Sequence, residues 1–210
     1  MNNEANREHW DKIYLTKKPS EVSWTQENPK ISLDFIHSFN LAKSASIIDI
    51  GGGDSRLVDK LVEEGFEDIT VLDISEQALK KAKDRLGKKG GKVKWVVADI
   101  TEFKTEKKFD LWHDRATFHF MISLEQISQY LEIAEHSLRD NGLLTIGTFS
   151  ESGPKICSGL EVKQYSETTL QHQLEKGFKK LKCVMEDHKT PFETLQNFLF
   201  CSFRRQIIQK

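Results

Sequence analysis

Apolar positions along this chain recur with two periods, and the two periods alternate. Short apolar runs read as buried strands: Ile47-Ile48-Asp49-Ile50, Ile69-Thr70-Val71-Leu72-Asp73, residues 93–98, residues 109–113 and residues 143–149. Between them apolar residues return every three or four positions. Leu57, Val58, Leu61 and Val62 mark a helix over 55–64 that stops at Gly65. Ala78, Leu79, Ala82 and Leu86 mark one over 76–86 behind Ser75. Ile127, Tyr130, Leu131, Ala134 and Leu138 mark the clearest, over 123–138, capped by Ser123. Upstream, Trp10, Ile13 and Tyr14 predict an amphipathic helix over 4–16, residues 17–26 a loop, and Ile31, Leu33, Phe35, Ile36 and Phe39 a helix over 29–42. The periodicity lapses over 150–165. It returns as a helix over 167–175 capped by Ser166, then as two alternating segments, 178–187 and 195–205, around Thr190-Pro191. Strands alternating with helices predict a doubly wound α/β fold.

The first strand runs into Gly51-Gly52-Gly53, then Asp54-Ser55 and a helix. Strand, glycine bend and helix form a nucleotide-binding opening, in which glycine lets a ligand approach the main chain. Asp73 ends the second strand, where a ribose hydroxyl pair would be held, and Asp99 ends the third. Two details argue against a dinucleotide. The third glycine of G-x-G-x-x-G is replaced by the bulky Arg56, and Asp49 lies just before the bend, where an anion opposes a pyrophosphate. A carboxylate there suits a ligand bearing an ammonium or sulfonium.

The stretch Asp49-Ile50-Gly51-Gly52-Gly53, with Asp73, resembles motif I and the acidic loop of class I S-adenosylmethionine-dependent methyltransferases. The resemblance implies a Rossmann-like, seven-stranded, mostly parallel sheet with a C-terminal antiparallel hairpin. It implies one domain over 1–210, with a helical cover over 1–42, a cofactor-binding core over 45–150, and a lid loop, helix and hairpin over 151–210. It also implies S-adenosylmethionine as cofactor and S-adenosylhomocysteine as product. Asp49 would orient the glycine bend or a bound ammonium; Gly51, Gly52 and Gly53 would approach the ligand. Asp73 would bind ribose, Asp99 the adenine amino group, Ile74 and Ile100 the ring faces, and His113 the cofactor through its backbone. The pattern His9-Trp10-Asp11-x-x-Tyr14, followed by Glu21-Val22-Ser23-Trp24, resembles the N-terminal cover of thiopurine-type and elongation-factor lysine methyltransferase-like enzymes, implying Trp24 as a cofactor contact. Trp10 and Tyr14 read as anchors of that arm. Asp114-Arg115-Ala116 resembles the element after strand four in thiopurine and tellurite-type members, which makes His113, Asp114 and Arg115 the catalytic candidates. Arg115 would hold an acidic acceptor or only Asp114. The Asn/Asp-Pro-Pro-Tyr/Phe motif of amine methylators is absent there, which favours a small-molecule nucleophile. A protein lysine, or binding of cofactor without turnover, are the alternatives.

Composition narrows the rest. Lys+Arg 31 against Asp+Glu 32 leaves no basic field for nucleic acid or a membrane surface. Thirteen Phe and four Trp suffice for a packed core. Cys157, Cys183 and Cys201 are sparse and widely spaced, which predicts free thiols, a reducing cytoplasm and no metal site. Residues 1–8 lack the apolar segment of a signal peptide. His119, between Phe118 and Phe120, reads as a packing residue, Cys201 as core, and residues 150–165 as either a lid or a packed loop.

Overall fold

A computed structural model describes residues 3–206; residues 1–2 and 207–210 of the expected 1–210 unit lie outside the described residues. In chain order the helices are α1 (Asn3–Thr16), α2 (Lys30–Ser38), α3 (Leu57–Glu63), α4 (Glu76–Leu86), α5 (Leu124–Ser137) and α6 (Glu167–Leu174). The strands are β1 (Ser46–Ile50), β2 (Asp68–Asp73), β3 (Lys94–Val97), β4 (Phe109–Arg115), β5 (Leu138–Phe149), β6 (Ile156–Cys157), β7 (Leu160–Glu161), β8 (Phe178–Lys189) and β9 (Leu195–Arg205). Seven strands form one sheet in the order β3-β2-β1-β4-β5-β9-β8. β1 to β5 are parallel, and β9 runs antiparallel to both of its neighbours. This is the expected α/β doubly wound arrangement with its C-terminal hairpin. The chain reverses direction across the sheet between β1 and β4, the switch point at which such sheets open a crevice beyond the strands' carboxyl ends.

Alternation along buried strands explains the two main cores. Ile48, Ile50, Trp112 and Leu144 face Ile127, Tyr130 and Ala134 of α5 and Leu170 of α6. Ile47, Val71 and Leu111 face Leu33 and Ile36 of α2, Leu61 of α3 and Leu79 of α4. The three serine caps form as the sequence predicts: Ser75, Ser123 and Ser166 accept from the backbone of Ala78, Gln126 and Thr169.

Several boundaries move for local reasons. α2 stops at Ser38 rather than running to 42, because Asn40 turns left-handed at φ 51°. β5 starts at Leu138, five residues earlier than the apolar run suggests; Asn141 (φ 61°) sits inside an irregularity between the Phe109 and Leu111 pairings. The expected loop over 150–165 contains a small hairpin, β6 and β7, joined through Ser158 and Gly159, both at positive φ as a tight turn of that hand requires.

The cysteine expectation is corrected. Cys183 and Cys201 sit opposite each other in the β8–β9 register, Cα atoms 4.1 Å apart, and form a disulfide; only Cys157 is free. Spacing along the chain does not reveal this, because strand register brings together residues 18 apart. Among the described residues no helix is long and apolar enough to cross a membrane.

Candidate active site

The crevice at the switch point is a cavity of about 600 Å³ over the tips of β1 to β4, within the range of small-molecule sites. Its floor is the glycine bend. Gly51 and Gly53 are left-handed, at φ +60° and +51°. The surrounding protein also requires the glycines: an added Cβ would lie 1.7 Å from the Thr117 hydroxyl at Gly51, 2.7 Å from an Asp49 oxygen at Gly52 and 2.6 Å from the Tyr14 hydroxyl at Gly53. The bend is therefore packed from below by Asp49 and Thr117 and from the side by Tyr14.

The acids at the strand tips come together. Asp49, Asp73 and Asp99 all line the cavity, as do Gly51, Gly52, Ile74, Ile100, His113, Arg115 and Trp24. Asp73 accepts from the backbone N–H of Ser75 at 2.8 Å. Burial, reinforced by the Asp49 and Asp54 charges against the opposing pull of backbone donors at Ser75 and Gly53, pushes its carboxyl up to about 7. Asp99 caps the turn after β3, accepting from the Thr101 N–H and hydroxyl at 2.8 and 2.7 Å. Asp49 is buried, and its Oδ1 lies 2.7 Å from His113 Nδ1. The β1–β4 register pairs these two residues directly. His113 Nε2 in turn meets the Ser32 hydroxyl of α2 at 2.9 Å. The buried His113 ring is thus held between two residues that line the cavity.

The catalytic candidates divide. Asp114 does not line the cavity. The next residue on a strand points to the opposite face, and there Asp114 accepts from Tyr130 at 2.6 Å and from the backbone of Thr117 and Phe118 at 2.9 and 3.2 Å. Burial holds its carboxyl up to about 6 despite these donors. Arg115 returns to the cavity side. It does not pair with Asp114: its Nη1 donates to the Trp24 carbonyl at 3.0 Å, its guanidinium lies 5.0 Å from the Phe198 ring, and its Nε and Nη2 have no partner. Burial lowers it to about 10. Ala116, left-handed at φ 70°, makes the turn that follows. His119 is a packing residue, stacked 4.5 Å from Phe149 with both nitrogens unpartnered.

The cover over the cavity is aromatic. Trp10 packs edge-on against Trp24 at 5.7 Å and Phe120 at 5.3 Å, and Tyr14 against Trp24 at 6.2 Å. Asp11 fixes α1 in place by accepting from the Ser75 hydroxyl and the Gln77 N–H, at the first turn of α4. The lining also includes residues not singled out for the site, among them Tyr14, Ser32, Thr117 and Cys157. Ser32 carried a faint signal, a small polar residue between Ile31 and Leu33 on an apolar helix. Cys157, on the β6–β7 hairpin, carried none; burial pushes its thiol up to about 11.

Residues 41–199 match the family model of a methyltransferase domain. Malonyl-[acyl-carrier protein] O-methyltransferase 2 of Ilyobacter polytropus is 28% identical over 165 residues, 73% of this chain and 62% of that protein. The human EEF1A lysine methyltransferase 2 is 24% identical over 155 residues, 67% of this chain and 66% of that protein. The chain thus spans slightly less than two thirds of the length of these curated relatives. The crystal structure of the N-methyltransferase NodS from Bradyrhizobium japonicum with S-adenosyl-L-homocysteine superimposes with a TM-score of 0.68 at 19% identity, covering 98% of this chain and 99% of that one, a likeness of fold.

Proposed function

The chain belongs to the methyltransferase-domain family, and from that premise we propose that it transfers the methyl group of S-adenosylmethionine to a nucleophile on a small molecule. The observation that carries the reading is the set of carboxylates from three adjacent strand tips in one cavity wall. Apart from Arg115, the arginines and the lysine that line the cavity are already engaged. Arg85 holds Asp59 and the carbonyls of Asp54 and Ser55, Arg56 lies by Glu27 and Asp59, and Lys81 donates to the Lys17 carbonyl. Such a wall suits a cationic nucleoside without phosphate and opposes a pyrophosphate.

Asp73 would accept from the ribose hydroxyls, Asp99 from the adenine amino group, and Ile74 and Ile100 would flank the ring. Trp24, with Trp10 and Tyr14, would close over the methionine end and exclude water. When bound, the cofactor supplies an electrophilic methyl on sulfur with a good leaving group. The protein then chiefly aligns acceptor, carbon and sulfur, and such orientation can supply about 7–11 kcal/mol of the barrier. Arg115 lies on the cavity side with unpartnered N–H groups and would face the acceptor.

A protein lysine is the second reading, supported by exposed apolar residues near the rim. Ile122 lines the cavity, Leu124 follows it, and Ile156 precedes the cavity-lining Cys157; all three are exposed. Calorimetric titration with S-adenosylhomocysteine, on the native chain and Asp73→Asn, tests the cofactor assignment. Micromolar binding weakened at least tenfold by the substitution is expected, since a lost charge-assisted bond is worth about 1.5–3 kcal/mol. Absence of binding by the native chain refutes the reading. Transfer of labelled methyl from the cofactor to the small-molecule rather than the protein fraction of a cell extract separates the two acceptors.

A further inference from the structure

Two buried histidines lie within seven residues of each other, and their surroundings differ in one decisive respect. His119 has no partner at either ring nitrogen, and burial together with the Arg115 charge lowers it to about 3, so it packs as a neutral ring. His113 has a partner at each nitrogen, and the two are chemically unlike. The Asp49 carboxylate can only accept; the Ser32 hydroxyl can donate or accept. A neutral His113 donates Nδ1–H to Asp49 and receives the Ser32 hydrogen at Nε2. A charged His113 donates from both nitrogens, with Ser32 now accepting. Neither state leaves a buried ring nitrogen unpaired, so a proton can arrive or leave without breaking the network.

We propose that His113 is the proton store of the methyl-transfer site, coupled through Asp49 to the charge of the ligand in the cavity. The proposal rests on the methyl-transfer reading above. Transfer to an X–H acceptor forms the X–CH3 bond, breaks C–S with its electron pair left on sulfur, and releases one proton. It also converts a sulfonium ligand into a neutral thioether, so the cavity loses a positive charge. With a sulfonium ligand in the cavity, Asp49 and His113 would face a second cation; with a thioether in its place they would not, and His113 would take the released proton while Asp49 holds its Nδ1–H. Other charged groups surround the pair in both ligand states: Asp114, the next residue of β4, interacts with His113, and Asp73 and Arg115 interact with Asp49. On β5 the residue paired with His113 is the uncharged Thr145.

The test needs no acceptor. The full chain is titrated calorimetrically with S-adenosylmethionine and with S-adenosylhomocysteine near pH 7, in buffers of different ionisation enthalpy. Proton uptake with S-adenosylhomocysteine should exceed that with S-adenosylmethionine by roughly half a proton, as expected of a histidine moved across neutrality. In His113→Gln the difference should vanish whatever affinity the variant keeps, and Ser32→Ala, which removes the two-way partner, should reduce it. Nitrogen NMR of the native chain supplies a readout independent of any variant: Nε2 of His113 should carry a proton in the S-adenosylhomocysteine complex and lose it in the other. Equal proton uptake with both ligands, a difference that survives in His113→Gln, or a ring in one protonation state throughout overturns the proposal. Failure of the native chain to bind either ligand overturns the methyl-transfer reading instead.

Discussion

Two adjacent residues of β4, both polar and both buried, have opposite surroundings. His113 lines the cavity and shares its ring between Asp49 and Ser32; Asp114 lies on the far face, tied to Tyr130 and two backbone N–H groups. Trp112 completes the far network by donating to Tyr130 at 2.9 Å. The cavity face holds a group whose partners accept either protonation state. The far face is a set of fixed donors that secures the turn after β4 and docks α5. Proximity in a strand therefore does not make a cluster, because the pleat sends neighbours to different solvents.

The most severe way to test this division is Asp114→Ala. It strands the Tyr130 hydroxyl and the N–H groups of Thr117 and Phe118, and should cost about 3–5 kcal/mol in denaturant unfolding, with cofactor affinity of the folded protein unchanged. A variant of native stability that loses the cofactor would return Asp114 to the site.

The seam between the faces is the contact of Gly51 with Thr117. Gly51→Ala forces a left-handed alanine against that hydroxyl and should cost about 2–3 kcal/mol. Adding Thr117→Ala should recover part of the loss, a coupling that a double-mutant cycle measures.

The cavity face should also respond to pH in a way set by Asp73. Its carboxyl is raised from 3.8 to about 7 and that of Asp114 to about 6, so between these limits the folded, ligand-free chain holds more protons than the unfolded chain. These groups therefore lower stability as pH rises from about 4 to about 7, which melting temperatures across that range will show. A ribose needs the ionised Asp73 as acceptor, so S-adenosylhomocysteine affinity should rise up to about tenfold per pH unit toward pH 7 and level off above it. In Asp73→Asn that slope should vanish.

Tyr130→Phe is the mildest probe. It unpairs Trp112 Nε1 and one Asp114 oxygen within an intact turn and should cost about 1–2 kcal/mol in the same unfolding assay, leaving the proton linkage of His113 untouched.

Most of the fold is visible in the apolar periods. The strands of the parallel sheet and the capped helices fall where the pattern places them, because a buried strand flanked by amphipathic helices has few alternatives. The glycine bend and the acids at 49, 73 and 99 are legible for the same reason: each lies at the end of such a strand, and strand ends in this topology converge on one crevice. The expected roles of Asp114 and of the cysteines were less secure, since they depend on which face a residue takes and which strand lies beside it. Asp114 left the cavity by one step of the pleat, and Cys183 met Cys201 through a hairpin register.

The sequence by itself determined the alternation of strands and helices, the bend at Gly51–Gly53 and the absence of a phosphate-reading third glycine, because these follow from local backbone permissiveness and from where apolar side chains must go. Only the tertiary structure decided that His113 lies between Asp49 and Ser32, that Arg115 reaches the Trp24 carbonyl rather than Asp114, and that Tyr14 closes against Gly53. Those contacts join residues 39 to 91 positions apart, and no pattern along a chain encodes which of many polar side chains will share one buried space.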